Sequence, residues 1–242
     1  MKCSIVMATR NHGELLRRTL QSIYRQEVPF DYEVIVIDDG SDDCTEEVCK
    51  EFDLTYCEKL DNTEYRNPAL ARNVGFRKAK GDVIIQQSDE VIHHTPNTIE
   101  LLVERLTPGK FVIATVYDYT PETDKRGWLM TGTASRRPYF FLGSLTREDL
   151  YAVGGYDEEF VAPGWDDDWH GYGLMHGLKL EPDFIDEIIG YHQFHPRMPK
   201  PEWREASKPS ADLFVLKRGK ARLFNNEDPA LCISSGGPWP LE

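Results

Sequence analysis

Short apolar runs alternate with amphipathic stretches along the first ninety residues of the chain. The apolar runs are rich in β-branched residues and have the length of buried strands, and they occupy 3–8, 33–37, 54–57 and 83–87. The stretches between them carry apolar residues at helical spacing, at 14–26, 45–51 and 67–81. Because strands that alternate with helices assemble into a sheet covered on both faces, the pattern predicts an α/β fold with a mostly parallel central sheet.

The pattern is less regular after residue 96. It predicts a helix over 98–106, strands over 111–119 and 139–145, a helix from Thr146, a helix over 170–177 and a short strand ending in the histidines near 192–195. Residues 121–137 read as a long polar loop, and 197–242 show little periodicity. We therefore expect a single domain over 1–196 and an irregular extension over 197–242 packed on it.

Carboxylates follow two of the predicted strands where those strands end. Asp38 and Asp39 close the second run, and Ser88-Asp89-Glu90 closes the fourth. The carboxyl edge of an open parallel sheet is where ligands bind, so Asp38 and Asp39 suggest contacts to the base and ribose of a nucleotide. The alternative is structural, because Asp-Gly and Ser-Asp also make turns and cap helices.

Other polar groups could complete a reactive site. Glu90 or Asp89, with His192 or His195, would supply ligands for Mn²⁺ or Mg²⁺ beside a diphosphate. Asp166 and Asp167 lie between two tryptophans, where they are free to accept a proton or simply to favour a helix N-terminus. Arg72 could contact the diphosphate, or only be solvated. Together these groups describe sugar transfer from an activated nucleotide.

Composition narrows the class of partner. The 242 residues have a formal net charge of −13, which argues against nucleic acid but not against a small anionic nucleotide beside a metal ion. The five cysteines show no paired metal spacing, so neither a disulfide framework nor a zinc site is expected. Without an apolar run of membrane-spanning length or a signal peptide, we expect a cytoplasmic protein with at most peripheral membrane association.

The order of these motifs resembles glycosyltransferase family 2 and its relatives with the GT-A (Rossmann-like) fold, over roughly residues 2–196. The matching stretches are SIVMATRNHGELLRRTLQSIYRQ, EVIVIDDGSDD, ALARNVGFRKAKGD, VIIQQSDEV and GGYDEEFVAPGWDDDW. The resemblance implies a nucleotide-binding half over 1–95 and an acceptor-binding half over 96–196. It also implies a UDP-sugar donor, a divalent metal, a glycan acceptor and inversion at the anomeric carbon.

The resemblance assigns roles to individual residues. The last segment is similar to the acceptor and base segment of galactosyl- and N-acetylgalactosaminyltransferases, which implies Asp167 as general base, with Asp166 second. The nucleotide contacts that it implies are Thr9, Asn11, Asp38, Asp39, Arg72, Asn73 and Asp89, and the implied metal ligands are Glu90 with His192 or His195. The metal motif departs from the family because Ser88 replaces its first aspartate and Glu90 its last. We expect Glu90 to be the main metal contact.

Two other function classes compete with this interpretation. The altered metal motif and the tryptophans at 128, 165, 169 and 203 would also suit a non-catalytic protein that binds a nucleotide sugar or a carbohydrate. A nucleotidyltransferase is disfavoured because the chain has no glycine-rich phosphate loop.

Overall fold

The first half of the chain forms a parallel sheet, as its sequence pattern predicts. The computed structural model describes residues 2–120, 125–222 and 228–241. Four parallel strands lie in the order β3-β2-β1-β4; they are β1 (Cys3–Thr9), β2 (Tyr32–Asp38), β3 (Tyr56–Lys59) and β4 (Val83–Gln87). The helices between them are α1 (Gly13–Tyr24), α2 (Thr45–Lys50) and α3 (Ala69–Lys78). The α/β fold class is therefore confirmed.

The second half extends the same sheet in mixed orientation. Its elements are β5 (Val91–His93), α4 (Thr98–Glu104), β6 (Lys110–Thr120), β7 (Lys125–Thr131), β8 (Leu142–Thr146), α5 (Arg147–Val153), α6 (Asp166–Tyr172), a π-helical turn (Gly173–Gly177) and β9 (Glu181–Gln193). Strand β8 runs antiparallel to β4 and β6, whereas β9 runs parallel to β6. The parallel character predicted for the whole sheet thus holds for the first four strands and for the pair of β6 and β9.

The predicted loop over 121–137 is wrong in part. Strand β7 occupies its middle and pairs antiparallel with β6, while 121–124 lie outside the described residues. The strand begins with Lys125 and Arg126, and these charged residues favoured a loop in the sequence pattern, although the Trp128–Thr131 stretch that follows is apolar. A strand that pairs on one side only, at the edge of a sheet, tolerates such charges.

Alternation along the central strands fills a core on each face of the sheet. On β1, Ile5 and Met7 contact the buried face of α1, where Leu16, Leu20 and Ile23 lie at helical spacing. Val6 points to the other face, into the cluster that contains Phe76 of α3. Burying each of these aliphatic side chains contributes about 1.5–3 kcal/mol. The rigid core fixes the loops that leave the carboxyl ends of the strands.

The C-terminal extension is more regular than its sequence suggests. It contains α7 (Lys200–Ala206), α8 (Lys208–Arg222) and a short 3-10 turn (Pro229–Leu231). Pro201 and Pro209 lie in the first turns of their helices, where proline is tolerated, so they are compatible with helices that the weak periodicity did not predict. Phe214 of α8 contacts Trp169 of α6, and this contact packs the extension on the domain.

Membrane-spanning segments were not expected from the sequence. Among the helices in the described ranges, none has both the length and the apolar character needed to cross a bilayer.

Candidate active site

A cleft of about 590 Å³ opens at the carboxyl edge of the parallel strands. The loops that follow β1, β2 and β4 all end here because parallel strands deliver their carboxyl ends to one edge. The cleft is lined by Ala8, Thr9, Arg10, Asn11, His12, Asp39, Tyr65, Arg66, Pro68, Arg72, Ser88, Asp89 and Glu90. Six of the residues singled out in the sequence therefore meet in one place: Thr9, Asn11, Asp39, Arg72, Asp89 and Glu90.

The ends of β1 and β2 carry two buried oxygens that lack a partner. Thr9 lies opposite Asp38 in the register of these strands. One oxygen of Asp38, Oδ1, accepts a 2.8 Å hydrogen bond from the backbone N–H of Ser41, so Asp38 does close a turn, as the structural alternative holds. Its Oδ2 and the Thr9 Oγ1 are buried without a hydrogen-bond partner in the described structure. Unpartnered buried oxygens are costly, and a ligand hydroxyl or N–H group would satisfy them.

Asp39 is paired with an arginine that the sequence analysis did not single out. Arg66 Nε donates to Asp39 Oδ1 at 3.0 Å and to Oδ2 at 3.1 Å, and Arg66 Nη2 also contacts Oδ1. The Asn62 side chain adds a 3.1 Å bond to Oδ2. Asp39 is 4% exposed, so these hydrogen bonds satisfy a nearly buried carboxylate at the edge of the cleft. Arg66 lies in an irregular segment whose pattern gives no sign of this contact.

Glu90 is the centre of a cluster of carboxylates and imidazoles. His192 Nε2 lies 3.0 Å from Glu90 Oε1, because β9 pairs with β5 and brings His192 opposite Val91. Ligand atoms of Glu90, His192 and His195 all lie within 4.8 Å of one another. The structure thus brings together the three residues assigned to the metal by resemblance. One carboxylate and two imidazoles form a donor set that fits a divalent transition metal.

The neighbouring carboxylates Asp89 and Glu90 have opposite pKa shifts. Burial and the charge of Glu90 raise the pKa of Asp89 above its usual range. Burial also acts to raise the pKa of Glu90, but hydrogen bonds from Asp89 and His192 hold it well below the usual range. Glu90 is therefore the anionic member of the pair, as a metal ligand must be.

A second constellation joins α3 to the start of α6. Arg72 Nη1 lies 3.2 Å from Asp166 Oδ2 and 3.2 Å from Asp167 Oδ1. The Tyr156 hydroxyl donates a 2.9 Å hydrogen bond to the same Asp167 oxygen, and the Arg72 guanidinium lies 4.7 Å from the centre of the Tyr156 ring. Arg72 lines the cleft, so it connects Asp167 to the cleft wall.

The three aspartates of this segment have different surroundings. Asp166 is buried and also accepts a 2.9 Å bond from Asn67, and burial together with the charge of Asp167 raises its pKa. Asp168 accepts a 2.7 Å bond from the Tyr139 hydroxyl. The Asp167 side chain is 22% exposed, and its bonds to Arg72 and Tyr156 all involve one oxygen. Asp167 therefore keeps an oxygen available for proton transfer.

Asn73, which the resemblance assigns to the nucleotide, is not among the residues that line the cleft. Its amide donates to the Tyr156 carbonyl at 2.8 Å and to Glu158 at 2.9 Å, and its oxygen accepts from the Tyr156 N–H at 2.9 Å. Being only 1% exposed, it fixes the segment that carries Tyr156. The helical neighbour Arg72 faces the cleft instead.

Comparison of the sequence with known families identifies the family of this chain. A family model described as Glycosyl transferase family 2 matches residues 4–156, more than half of the chain. The chain belongs to glycosyltransferase family 2. The matched range contains the whole cleft lining and Tyr156, whereas Asp167, His192 and His195 lie beyond it.

Named relatives of this family 2 chain are glycosyltransferases of several kinds. It is 28% identical to validoxylamine A glucosyltransferase of Streptomyces hygroscopicus subsp. limoneus, a match that covers 73% of this chain and 49% of that protein. It is 28% identical to chondroitin synthase of Escherichia coli, over 85% of this chain and 36% of that protein. The chain thus spans about half or less of these relatives.

Solved structures share the fold of this family 2 chain. Mannosyltransferase PcManGT from Pyrobaculum calidifontis, in complex with GDP-Man and Mn²⁺, superposes with a TM-score of 0.65 at 19% identity, over 90% of this chain and 64% of that one. S. aureus TarS 1–349 in complex with UDP gives a TM-score of 0.65 at 16% identity, over 89% of this chain and 66% of that one. These similarities confirm the GT-A fold.

Proposed function

We propose that the chain is an inverting glycosyltransferase that moves a sugar from a nucleotide donor, a UDP-sugar, to a hydroxyl group of a glycan acceptor. One observation carries the proposal. Glu90, the centre of the carboxylate and histidine cluster, and Arg72, which binds Asp167, both line the same cleft. The cluster would hold the charged leaving group and Asp167 would be the base, and both are in contact with residues that line the space proposed for the donor sugar.

The charges around the cleft suit a nucleoside diphosphate. Arg10, Arg66 and Arg72 all line it, although the chain as a whole has a net charge of −13. Guanidinium groups bind phosphate oxygens through charge-assisted hydrogen bonds, so these three would favour the diphosphate. The unpartnered oxygens of Thr9 and Asp38 support placing the nucleoside at the ends of β1 and β2.

The cluster of Glu90, His192 and His195 would hold a divalent cation, Mn²⁺ or Mg²⁺, and its two imidazoles suit Mn²⁺ better. When bound, such a cation would neutralise charge on the diphosphate leaving group. Asp89 is hydrogen-bonded to His12 at 3.1 Å and lines the cleft, which supports the proposal that it contacts the donor.

Asp167 would act as the general base. The acceptor oxygen forms a bond to the anomeric carbon while the bond from that carbon to the diphosphate breaks, and the acceptor proton passes to Asp167. Attack opposite the leaving group inverts the configuration. Asp166 is less suited to this role because both of its oxygens are engaged, one by Arg72 and one by Asn67.

The proposal is tested with Asp167→Asn, which keeps the size of the side chain and removes its basicity. We expect donor binding to be retained and transfer to fall by about 10²–10⁴-fold, the usual contribution of a general base. Asp168→Asn is the matched control because Asp168 is the next residue and binds Tyr139 instead. Turnover of Asp167→Asn close to that of the wild type would remove Asp167 from the role.

One observation favours a second candidate, a non-catalytic protein that binds a nucleotide sugar. Ser88 lines the cleft where the family carries an acidic residue, and a neutral hydroxyl group is a weaker ligand for a cation than a carboxylate. The release of nucleoside diphosphate from a panel of UDP- and GDP-sugars separates the two candidates. Donor hydrolysis by the wild-type chain would exclude the binding protein.

A further inference from the structure

The loop after β1 brings a third histidine to Glu90. His12 Nδ1 lies 3.1 Å from Asp89 Oδ2 and 4.0 Å from Glu90 Oε2. Its ring centre is 5.1 Å from that of His195. Ligand atoms of His12, Asp89 and Glu90 lie within 4.8 Å of one another. The same holds for the ligand atoms of Glu90, His192 and His195. Glu90 belongs to both groups, so the two sets of donor atoms are adjacent.

The backbone around His12 is fixed before any ligand binds. Asn11 has a φ of +53°, a left-handed conformation that asparagine tolerates better than most residues. Its N–H donates to Ser41 Oγ at 2.8 Å, and the Gly13 N–H donates to Asp43 Oδ2 at 2.9 Å. His12 thus lies between two residues whose backbones are bonded to the loop after β2. A fixed loop is what a metal ligand requires, whereas a solvated surface histidine would not need it.

We propose that His12 is a ligand of the divalent cation, and that its imidazole adds a donor atom to a cluster in which Ser88 offers no carboxylate. This inference rests on the proposed function, since it concerns the same cation. The resulting donor set has imidazoles from His12, His192 and His195 around the carboxylate of Glu90. Nitrogen donors suit transition metals, whereas Mg²⁺ prefers oxygen donors and retains its waters, so the set selects Mn²⁺ over Mg²⁺.

The test is metal binding to the full chain in the absence of nucleotide. Mn²⁺ and Mg²⁺ are titrated by calorimetry into the wild type, His12→Gln and His94→Gln. His94 is a matched control because it is exposed, lies just beyond β5 and stacks on Tyr191 outside the cluster. Pulsed EPR of bound Mn²⁺ counts the imidazole nitrogens directly. Thermal unfolding in EDTA checks that both variants fold.

We expect the wild type to bind Mn²⁺ more tightly than Mg²⁺. In His12→Gln the affinity for Mn²⁺ should fall by about tenfold or more, and the imidazole nitrogen signal in the pulsed EPR of bound Mn²⁺ should weaken. In His94→Gln both the affinity and this signal should equal those of the wild type. Equal Mn²⁺ affinity and equal nitrogen modulation in His12→Gln and the wild type would overturn the inference. So would failure of the wild type to bind any metal. UDP titrated in EDTA then shows whether the proposed function fails as well, because nucleotide binding without metal would leave it standing.

Discussion

The Tyr156 hydroxyl fixes the proposed base, and Tyr156→Phe removes only that group. The hydroxyl donates a 2.9 Å hydrogen bond to Asp167 Oδ1. Burial raises the pKa of Tyr156 well above its ordinary value, so the phenol stays protonated and remains a donor. The ring stacks on His170 with centres 4.2 Å apart, and phenylalanine keeps this contact. The substitution therefore changes the orientation of the base and leaves the packing in place.

The expected fall in kcat of Tyr156→Phe depends on the hydrogen bonds that Asp167 keeps. A hydrogen bond to a charged group contributes about 1.5–3 kcal/mol. Arg72 still holds the same oxygen at 3.2 Å, so we expect the lower half of that range. Since about 1.4 kcal/mol corresponds to a factor of ten in rate, kcat should fall by about 10–50-fold. The dissociation constant of the donor should not change, because Tyr156 is not part of the cleft lining.

The assay measures initial rates of nucleoside diphosphate release at saturating donor, alongside donor binding by calorimetry. Tyr139→Phe is the matched control, since its hydroxyl makes the corresponding 2.7 Å bond to Asp168. It should keep wild-type kcat. Equal loss of kcat in the two variants, or a loss in Tyr156→Phe that follows a fall in thermal stability, would refute the positioning role and indicate a structural one.

Three further substitutions test other parts of the account. Arg66→Ala leaves the nearly buried Asp39 without its cation, so it should lower the free energy of unfolding by about 1–3 kcal/mol and weaken UDP binding, as denaturant unfolding and calorimetry would show; unchanged UDP affinity would count against Arg66 as a donor contact. Burial lowers the pKa of His170 to about 4, so stability from its neutral form is present above the unfolded-state pKa of about 6.5 and is lost as pH falls toward 4. Between pH 7.5 and pH 5 the free energy of unfolding, measured with urea, should therefore fall by about 2 kcal/mol less in His170→Gln than in the wild type. An equal fall in the two proteins would contradict the lowered pKa of His170. Gly40→Ala should lower stability more than Gly109→Ala, because both glycines have positive φ but only Gly40 also lies against a neighbouring backbone; equal melting temperatures would show that the close approach relaxes.

The nucleotide half of the site could be predicted from local patterns. A buried run that ends in Asp38 and Asp39, and a later run that ends in Asp89 and Glu90, place four acids at one sheet edge once the strands are parallel. That inference needs only the alternation of strands and helices. It could not show how the acids divide their roles: Asp38 closes a turn, whereas Asp39 is paired with Arg66.

Local patterns alone do not predict the contacts that depend on long-range pairing or on irregular segments. His192 reaches Glu90 through the antiparallel pairing of β5 with β9, two strands about a hundred residues apart, and no local pattern encodes that register. Arg66 lies in a segment without periodicity. One feature of the sequence could have pointed to His12. It lies in the polar loop after β1, at the same sheet edge as the acids, so it could have been included among the candidate ligands.

Two other differences have local causes. Asn73 neighbours Arg72 on α3, but the next residue on a helix points about 100° away, so only one of the pair can face the cleft. The extension was expected to be irregular because it shows little periodicity, but Pro201 and Pro209 occupy the first turns of two helices. Residue type alone therefore does not predict which way a side chain faces or where in a helix a proline lies.

The most direct test of the central claim is a calorimetric titration of UDP into the purified chain, once with Mn²⁺ and once with EDTA. The account predicts binding in Mn²⁺ that is tighter than in EDTA by about tenfold or more, because the cation at Glu90, His192 and His195 would neutralise the diphosphate. A failure of UDP to bind under either condition would contradict the claim that this cleft holds a UDP-sugar donor.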